Sequence, residues 1–189
     1  MPSTSIEDLR KRIARYEAKL KILHGEGYQQ TYRVSDGTTQ TTRVNGVKPL
    51  DDFRDEIETL AIWIWSLKDY LKEIVQGNGK DPRYVEIYVD SCWNLKVCSD
   101  LANGAKHNRL RTSRSKLFAK LMDVGMEIPG KSLEKITVLA NELVFDIKDA
   151  SQAEYEAPVE DKDGCLIGDA VEILSCAMQD WEVAILRFK

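Results

Sequence analysis

Residues 51–79 read DDFRDEIETLAIWIWSLKDYLKEIVQGNG, and this stretch decides the fold class. Phe53, Ile57, Leu60, Ile64, Leu67, Leu71 and Val75 alternate steps of four and three, the period of one face of an α-helix. Asp51 and Asp52 complement the positive end of the helix dipole, and Gly77-Asn78-Gly79 stops the run. Trp63 and Trp65 lie off that stripe, so the helix is apolar on more than one side. It is expected at the centre of a helical body, with both tryptophans in the core rather than offered as a base-stacking platform.

Working towards the N-terminus, Thr4 and Glu7, or Ser5 and Asp8, stand three apart in a capping-box arrangement. Ile6, Leu9, Ile13, Tyr16, Leu20 and Leu23 form the apolar stripe of a first helix that His24-Gly25 ends. His24 then reads as a last-turn residue facing the negative end of the dipole, without a functional role. Residues 25–50 form a connection longer than the roughly 12–15 residues of a structureless loop. Tyr28 to Val34 and Thr38 to Val44, either side of Ser35-Asp36-Gly37, carry a hairpin signature. Both arms are polar, which predicts an exposed ribbon projecting from the helical body. It reads either as a partner- or nucleic-acid-contacting arm or as a decoration.

Towards the C-terminus, Asp81-Pro82 opens a further helical region that runs to Lys106, with a break near Val89-Asp90-Ser91. Tyr84 to Val89 reads alternatively as extended chain. Beyond His107, the segments Lys116 to Leu121, Glu134 to Ile147 and Tyr155 to Val159 are alternating or β-branched. Ile128-Pro129-Gly130 and Asp161-Lys162-Asp163-Gly164 supply turns. Residues 110–165 are therefore expected as a small antiparallel meander. Residues 166–189 close the fold with a helix from Asp169 to Leu186, whose Ala170, Leu174, Ala177 and Trp181 share one side. The expected class is α+β, mainly α: a helical bundle with an inserted β-hairpin and a small antiparallel β-meander before a C-terminal helix, as one domain over residues 1–189.

The chain's 189 residues are 43% hydrophobic and 31% charged, which excludes a disordered composition. A net charge of −4, from 27 basic and 31 acidic side chains, excludes a protein coated in positive charge. The most apolar stretch, Leu60 to Leu67, is far too short to span a membrane, and the N-terminus has no signal-peptide core. A cytoplasmic protein without membrane contact is the expectation. Cys92, Cys98, Cys165 and Cys176 lack zinc or thioredoxin spacing and are read as buried free thiols. Nucleotide-cradling glycine loops, metalloprotease helices and a nucleophile elbow are missing. Asp161 to Gly164 resembles the start of a calcium loop but lacks the closing Glu, so it is a turn. No cofactor and no metal are expected.

Only two histidines occur, and His107 is the one that keeps polar company. Asn103 and His107 are four apart and Asp100 lies three before Asn103, so on a helix the three share one ridge. Histidine is the one side chain whose ordinary pKa lies near neutrality, so such a ridge suits acid–base work. The small residues Ala102, Gly104 and Ala105 leave room for another helix or a substrate. From Leu101 to Met122 there are six cations and no acid: Lys106, Arg109, Arg111, Arg114, Lys116 and Lys120. Phosphate suits such a segment. The alternative is a solvated basic turn balanced by the acidic stretch Asp149 to Asp163.

Trp65-Ser-Leu-Lys-Asp69-Tyr70, followed by Cys98-Ser-Asp-Leu-Ala-Asn-Gly-Ala-Lys-His107, resembles a group of small uncharacterised bacterial and phage proteins. There a W-x-L-K-D-W-like helix precedes a C-x-D-L-A-N-x-x-K-H helix, and the group is similar to the HEPN superfamily of helical bundles. HEPN ribonucleases cut RNA without metal at a dimer interface. They use an Arg followed a few residues later by a His, often with Asn directly after the Arg. Asn103 and His107 match that pattern here, whereas Ala102 stands at the Arg position. A phosphate-stabilising cation would then come from Lys106, Arg109, Arg111 or a partner chain. Loss of such a contact typically costs about 10²–10³ in rate.

The resemblance implies a HEPN-like protein that binds or cleaves RNA, in a phage-related or host-defence setting and as a homodimer. The catalytic candidates are His107, Asn103 and Asp100, with Lys106, Arg109, Arg111 and Arg114 on phosphate, and Asp69 and Lys68 in support. In the active version His107 serves as acid or base for attack of a ribose 2′-hydroxyl on phosphate. The rival is a non-catalytic interaction or regulatory module, with a protein partner, in which Asp100, Asn103 and His107 form a structural hydrogen-bond network.

Overall fold

A computed structural model describes residues 5–35, 37–107 and 110–188. The chain is α+β and mainly α, and it divides into two compact units interleaved in sequence. Residues 1–19, 55–123 and 157–189 make a helical unit; residues 20–54 and 124–156 make a sheet-rich one. No helix among the described residues is long and apolar enough to cross a membrane.

The helical unit holds most of α1 (Ile6–Leu20), most of α2 (Leu50–Gly77), and all of α3 (Arg83–Ser91), α4 (Trp93–Lys106) and α5 (Ala170–Phe188). Ser5 caps α1, its hydroxyl taking the Asp8 N–H at 3.2 Å while Asp8 accepts back from Ser5. The alternative cap, Thr4 with Glu7, falls partly outside the described residues. On α2, Ile57, Ile64, Leu67, Leu71 and Val75 are fully buried and Trp65 nearly so. Their helical spacing gives α2, the longest helix among the described residues, a continuous buried face. Burial of each such side chain is worth about 1.5–3 kcal/mol.

A single extended residue, Cys92 (φ −103°, ψ 115°), separates α3 from α4. The sequence places the break slightly earlier, near Val89-Asp90-Ser91. Val85 and Val89 before the break and Leu95, Cys98 and Ala102 after it are all fully buried. Asp169 opens α5: its Oδ1 accepts the Val171 N–H at 2.8 Å, and its Oδ2 accepts the Ala157 N–H. Ala170, Leu174, Ala177 and Trp181 line the buried side as expected, and α4 packs against α5.

A small antiparallel sheet completes this unit, in the order β3 (Lys120–Leu121), β8 (Pro158–Glu160), β9 (Leu166–Asp169). The turn at Asp161 to Gly164 links β8 and β9, with Asp161 Oδ1 accepting N–H groups from Asp163 and Cys165. The anticipated strand from Lys116 to Leu121 shrinks to two residues. Lys116 and Phe118 adopt positive φ (67° and 54°), which breaks any extended ladder before Lys120.

The sheet-rich unit is built on a four-stranded sheet, β1 (Tyr28–Arg33), β2 (Thr39–Asn45), β6 (Glu142–Ile147), β5 (Leu133–Val138), in that order. The pairs β1/β2 and β5/β6 are antiparallel hairpins, while β2 and β6 pair in parallel, with Val44 opposite Phe145. The hairpin is therefore a sheet component and not a free ribbon; Asp36 of its turn lies outside the described residues. The expected meander divides among separate sheets, since β4 (Gly125–Glu127) and β7 (Glu154–Glu156) form a further antiparallel pair.

Val44, Val47, Ile147 and Ala150 form the core of this unit, with Leu23, Tyr28 and Phe145 against them. The rings of Phe53 and Tyr155 meet in a tilted pair with centroids 4.6 Å apart, and the Tyr155 hydroxyl donates to the Lys48 carbonyl at 2.7 Å. The helix α1 stops at Leu20, short of His24. Leu23 instead turns into this core, where its carbonyl accepts the Lys48 N–H at 2.7 Å. His24 is consequently an exposed loop residue beyond the last turn of α1.

Candidate functional site

The carboxylate of Asp100 is fully buried in α4 and carries a loop. It accepts hydrogen bonds from Ser113 Oγ at 2.6 Å, Ser115 Oγ at 2.5 Å, the Arg114 N–H at 3.1 Å and the Ala119 N–H at 3.3 Å. Ser113 and Ser115 in turn accept the N–H groups of Phe118 and Leu117. One buried acid thus shapes residues 113–119, including the positive-φ positions Lys116 and Phe118. Each charge-assisted bond of this kind is worth about 1.5–3 kcal/mol.

Asn103 and His107 do not join it. The Asn103 amide donates weakly to Ser99 Oγ at 3.5 Å. His107 is the C-cap of α4 with extended backbone (φ −132°, ψ 134°), and its N–H closes the last turn on the Asn103 carbonyl. Leaving the helical path carries its imidazole off the ridge that periodicity assigns to it, and the residue is exposed. Asp100 and His107 are two turns apart, about 10 Å along the axis at 1.5 Å per residue. Asp100 and Asn103 lie on α4 and His107 caps it, without forming a catalytic constellation.

The basic segment divides in two. Lys106, Arg111, Lys116 and Lys120 are exposed, and Arg109 lies outside the described residues. Arg114 is not free for phosphate: it reaches Glu86 Oε2 at 2.8 Å and Asp90 Oδ1 at 3.1 Å. Its guanidinium also lies over the Trp65 ring, 5.5 Å from the centroid. Lys68 caps the same ring at 4.8 Å and approaches Glu86 at 3.6 Å, while Lys72 meets Glu86 at 2.7 Å. Asp69 is largely exposed beside Lys68, at 3.8 Å. Burial pushes the Glu86 carboxyl up, but hydrogen bonds from Lys72 and Arg114 and the charge of Lys68 outweigh it and hold the pKa at about 2.

The quoted motif therefore has a structural meaning. Trp65 and Lys68 of α2, Glu86 and Asp90 of α3, and Asp100 of α4 meet through the loop that carries Arg114. Glu86, Asp90, Ser113 and Ser115 are absent from the sequence-derived set. The alternation Ser113-Arg114-Ser115 is the signal for them, since two hydroxyls flanking a cation suit a buried carboxylate. The other half of the motif is packing: the Cys98 thiol is buried against the Ala61 carbonyl at 3.7 Å, and burial pushes its pKa up. Of the remaining cysteines, Cys165 and Cys176 are exposed, contrary to the expectation of buried thiols.

No group of three or more His, Cys, Asp or Glu side chains among the described residues could hold a metal ion. Chemically, the surface offers an exposed imidazole beside Lys106, with the exposed Arg111 ahead of the loop that Asp100 fixes and Lys116 upon it. That arrangement can attract phosphate. Family models, curated proteins and solved structures give no match to this chain.

Proposed function

We propose that the chain is a non-catalytic RNA-binding module, which presents Lys106, His107 and Arg111 to the phosphate backbone. One observation carries the reading: the Asp100 carboxylate is engaged by four donors from residues 113–119, and His107 stands exposed two turns away. An imidazole with no orienting acid among the described residues is a weak general base, whereas an exposed cation needs no orientation to attract phosphate. Ala102 at the Arg position of the HEPN-like pattern is buried, which argues in the same direction.

The HEPN-like resemblance supplies two further parts of the proposal, a homodimer and a phage-related or host-defence setting. The exposed thiols of Cys165 and Cys176 suit the reducing cytoplasm.

Labelled single-stranded RNA, titrated with the full chain in EDTA, tests the reading. Binding that weakens in Lys106→Ala and Arg111→Ala, with the RNA left intact, is the expected result. Cleavage lost in His107→Ala would replace binding by catalysis. Absence of both binding and cleavage would remove RNA altogether.

A further inference from the structure

Within the helical unit, α3 and the end of α5 bound an open groove of about 340 Å³ that owes nothing to the Asp100 loop. Its lining includes Tyr84, Ile87, Tyr88 and Ser91 of α3, at the i, i+3, i+4, i+7 spacing of one helix face. This is a second face, because Val85 and Val89 already point into the core. Tyr84 is 55% exposed and Ile87 63%, high values for side chains of their size. The floor is fixed: Tyr88 and Phe188 meet edge to face at 6.1 Å, and the Tyr88 hydroxyl donates to the Asp180 carbonyl at 2.9 Å. On α5, Val183 shares the face of Arg187 by helical spacing and is also exposed.

Charge says what fits. The groove is lined by Lys80 and Arg187, and no carboxylate is among the described residues that line it. Two cations beside an apolar floor, in a chain of net charge −4, call for an acidic visitor. A second copy docking by two-fold symmetry would set two equally basic faces, each with Lys80 and Arg187, against one another. Single-stranded RNA would want a run of open aromatic faces, whereas Tyr84 is the one exposed aromatic among the described lining residues: the edge contact fixes Tyr88, and the other exposed neighbours, Ile87 and Val183, are aliphatic. We infer that this groove seats an acidic amphipathic helix of a partner protein, whose bulky apolar residues enter between α3 and α5 and whose carboxylates meet Lys80 and Arg187.

Panning a phage-displayed library of helix-forming peptides against the full chain tests this. Expected are enriched peptides with apolar residues at three- and four-residue spacing and flanking Asp or Glu. Their affinity should fall roughly tenfold or more in Ile87→Glu. It should also fall in Lys80→Glu/Arg187→Glu, and be restored there when the peptide carboxylates are changed to Lys. All replaced side chains are exposed, and unchanged circular dichroism establishes that each variant folds. Failure to enrich any peptide, or enriched peptides indifferent to these variants, would overturn the proposal. So would concentration-dependent dimerisation, or binding of single-stranded RNA, lost in Ile87→Glu.

Discussion

Asp100 controls where Arg114 points without touching its guanidinium. The carboxylate holds the Arg114 N–H at 3.1 Å and the hydroxyls of the two flanking serines, so the side chain is delivered over Trp65 and onto Glu86. A buried acid on one helix thereby sets a cation between two others.

Removing that acid should cost far more than removing the histidine. Asp100→Ala leaves two N–H groups and one of the two serine hydroxyls without an acceptor, since Ser113 and Ser115, 3.1 Å apart, can satisfy only one of the pair between them, and roughly 3 kcal/mol or more of stability should be lost. His107→Ala, at an exposed site, should change stability by about 0.5 kcal/mol or less. Urea denaturation of both variants makes the comparison. Equal losses would mean that His107 belongs to the network after all.

Glu86 gives the helical unit a pH signature. Its folded pKa of about 2 lies below the ordinary 4.5, so its contribution is full above pH 4.5 and is lost as the pH falls towards 2. Glu86→Gln should be less stable than the parent near neutrality, with the difference shrinking across that window. Thermal melts between pH 2 and 6 read it, and a constant difference would contradict the ion-pair account.

Among the basic residues, salt should separate binding from folding. Lys106→Ala and Arg111→Ala should each lower the slope of log affinity against log salt by about one, with little effect on stability. Arg114→Ala should do the reverse, destabilising the fold while its own charge contributes little to the slope.

Gly104 lies on α4 in open surroundings, with nothing within 4 Å of where a Cβ would stand. Gly104→Ala should stabilise the helix by about 0.5–1 kcal/mol. Should it instead abolish RNA binding with the fold intact, the small-residue stretch of α4 would be a contact surface.

Gly27 behaves oppositely. Its φ is +87°, and an added Cβ would fall 1.9 Å from the Val44 carbonyl oxygen. Gly27→Ala should cost well over 1 kcal/mol, read by the same denaturation.

The helices were legible because burial repeats along the chain, as Ile57, Ile64, Leu71 and their neighbours on α2 demonstrate. What local periodicity misses is set by partners far away in sequence. The chain beyond α1 is held where the Lys48 N–H meets the Leu23 carbonyl, and the hairpin acquires a role because β6 pairs with it. The Asp100 ridge misled for the same reason: its hydrogen bonds go to residues 113–119, while its helical neighbours Asn103 and His107 take no part in them.

The parallel pairing of β2 with β6 has a consequence for the order of events during synthesis. Asn45 and Asp146, bonded at 2.8 Å, are 101 residues apart. A ribosome therefore releases β1 and β2 long before β6 exists, and closing so long a loop slows folding. Through that interval one edge of β2 stands open to other nascent chains. Arg43 lies on it, a charge of the sort that discourages stray strand pairing, and finds Glu142 at 3.0 Å only once the second hairpin arrives.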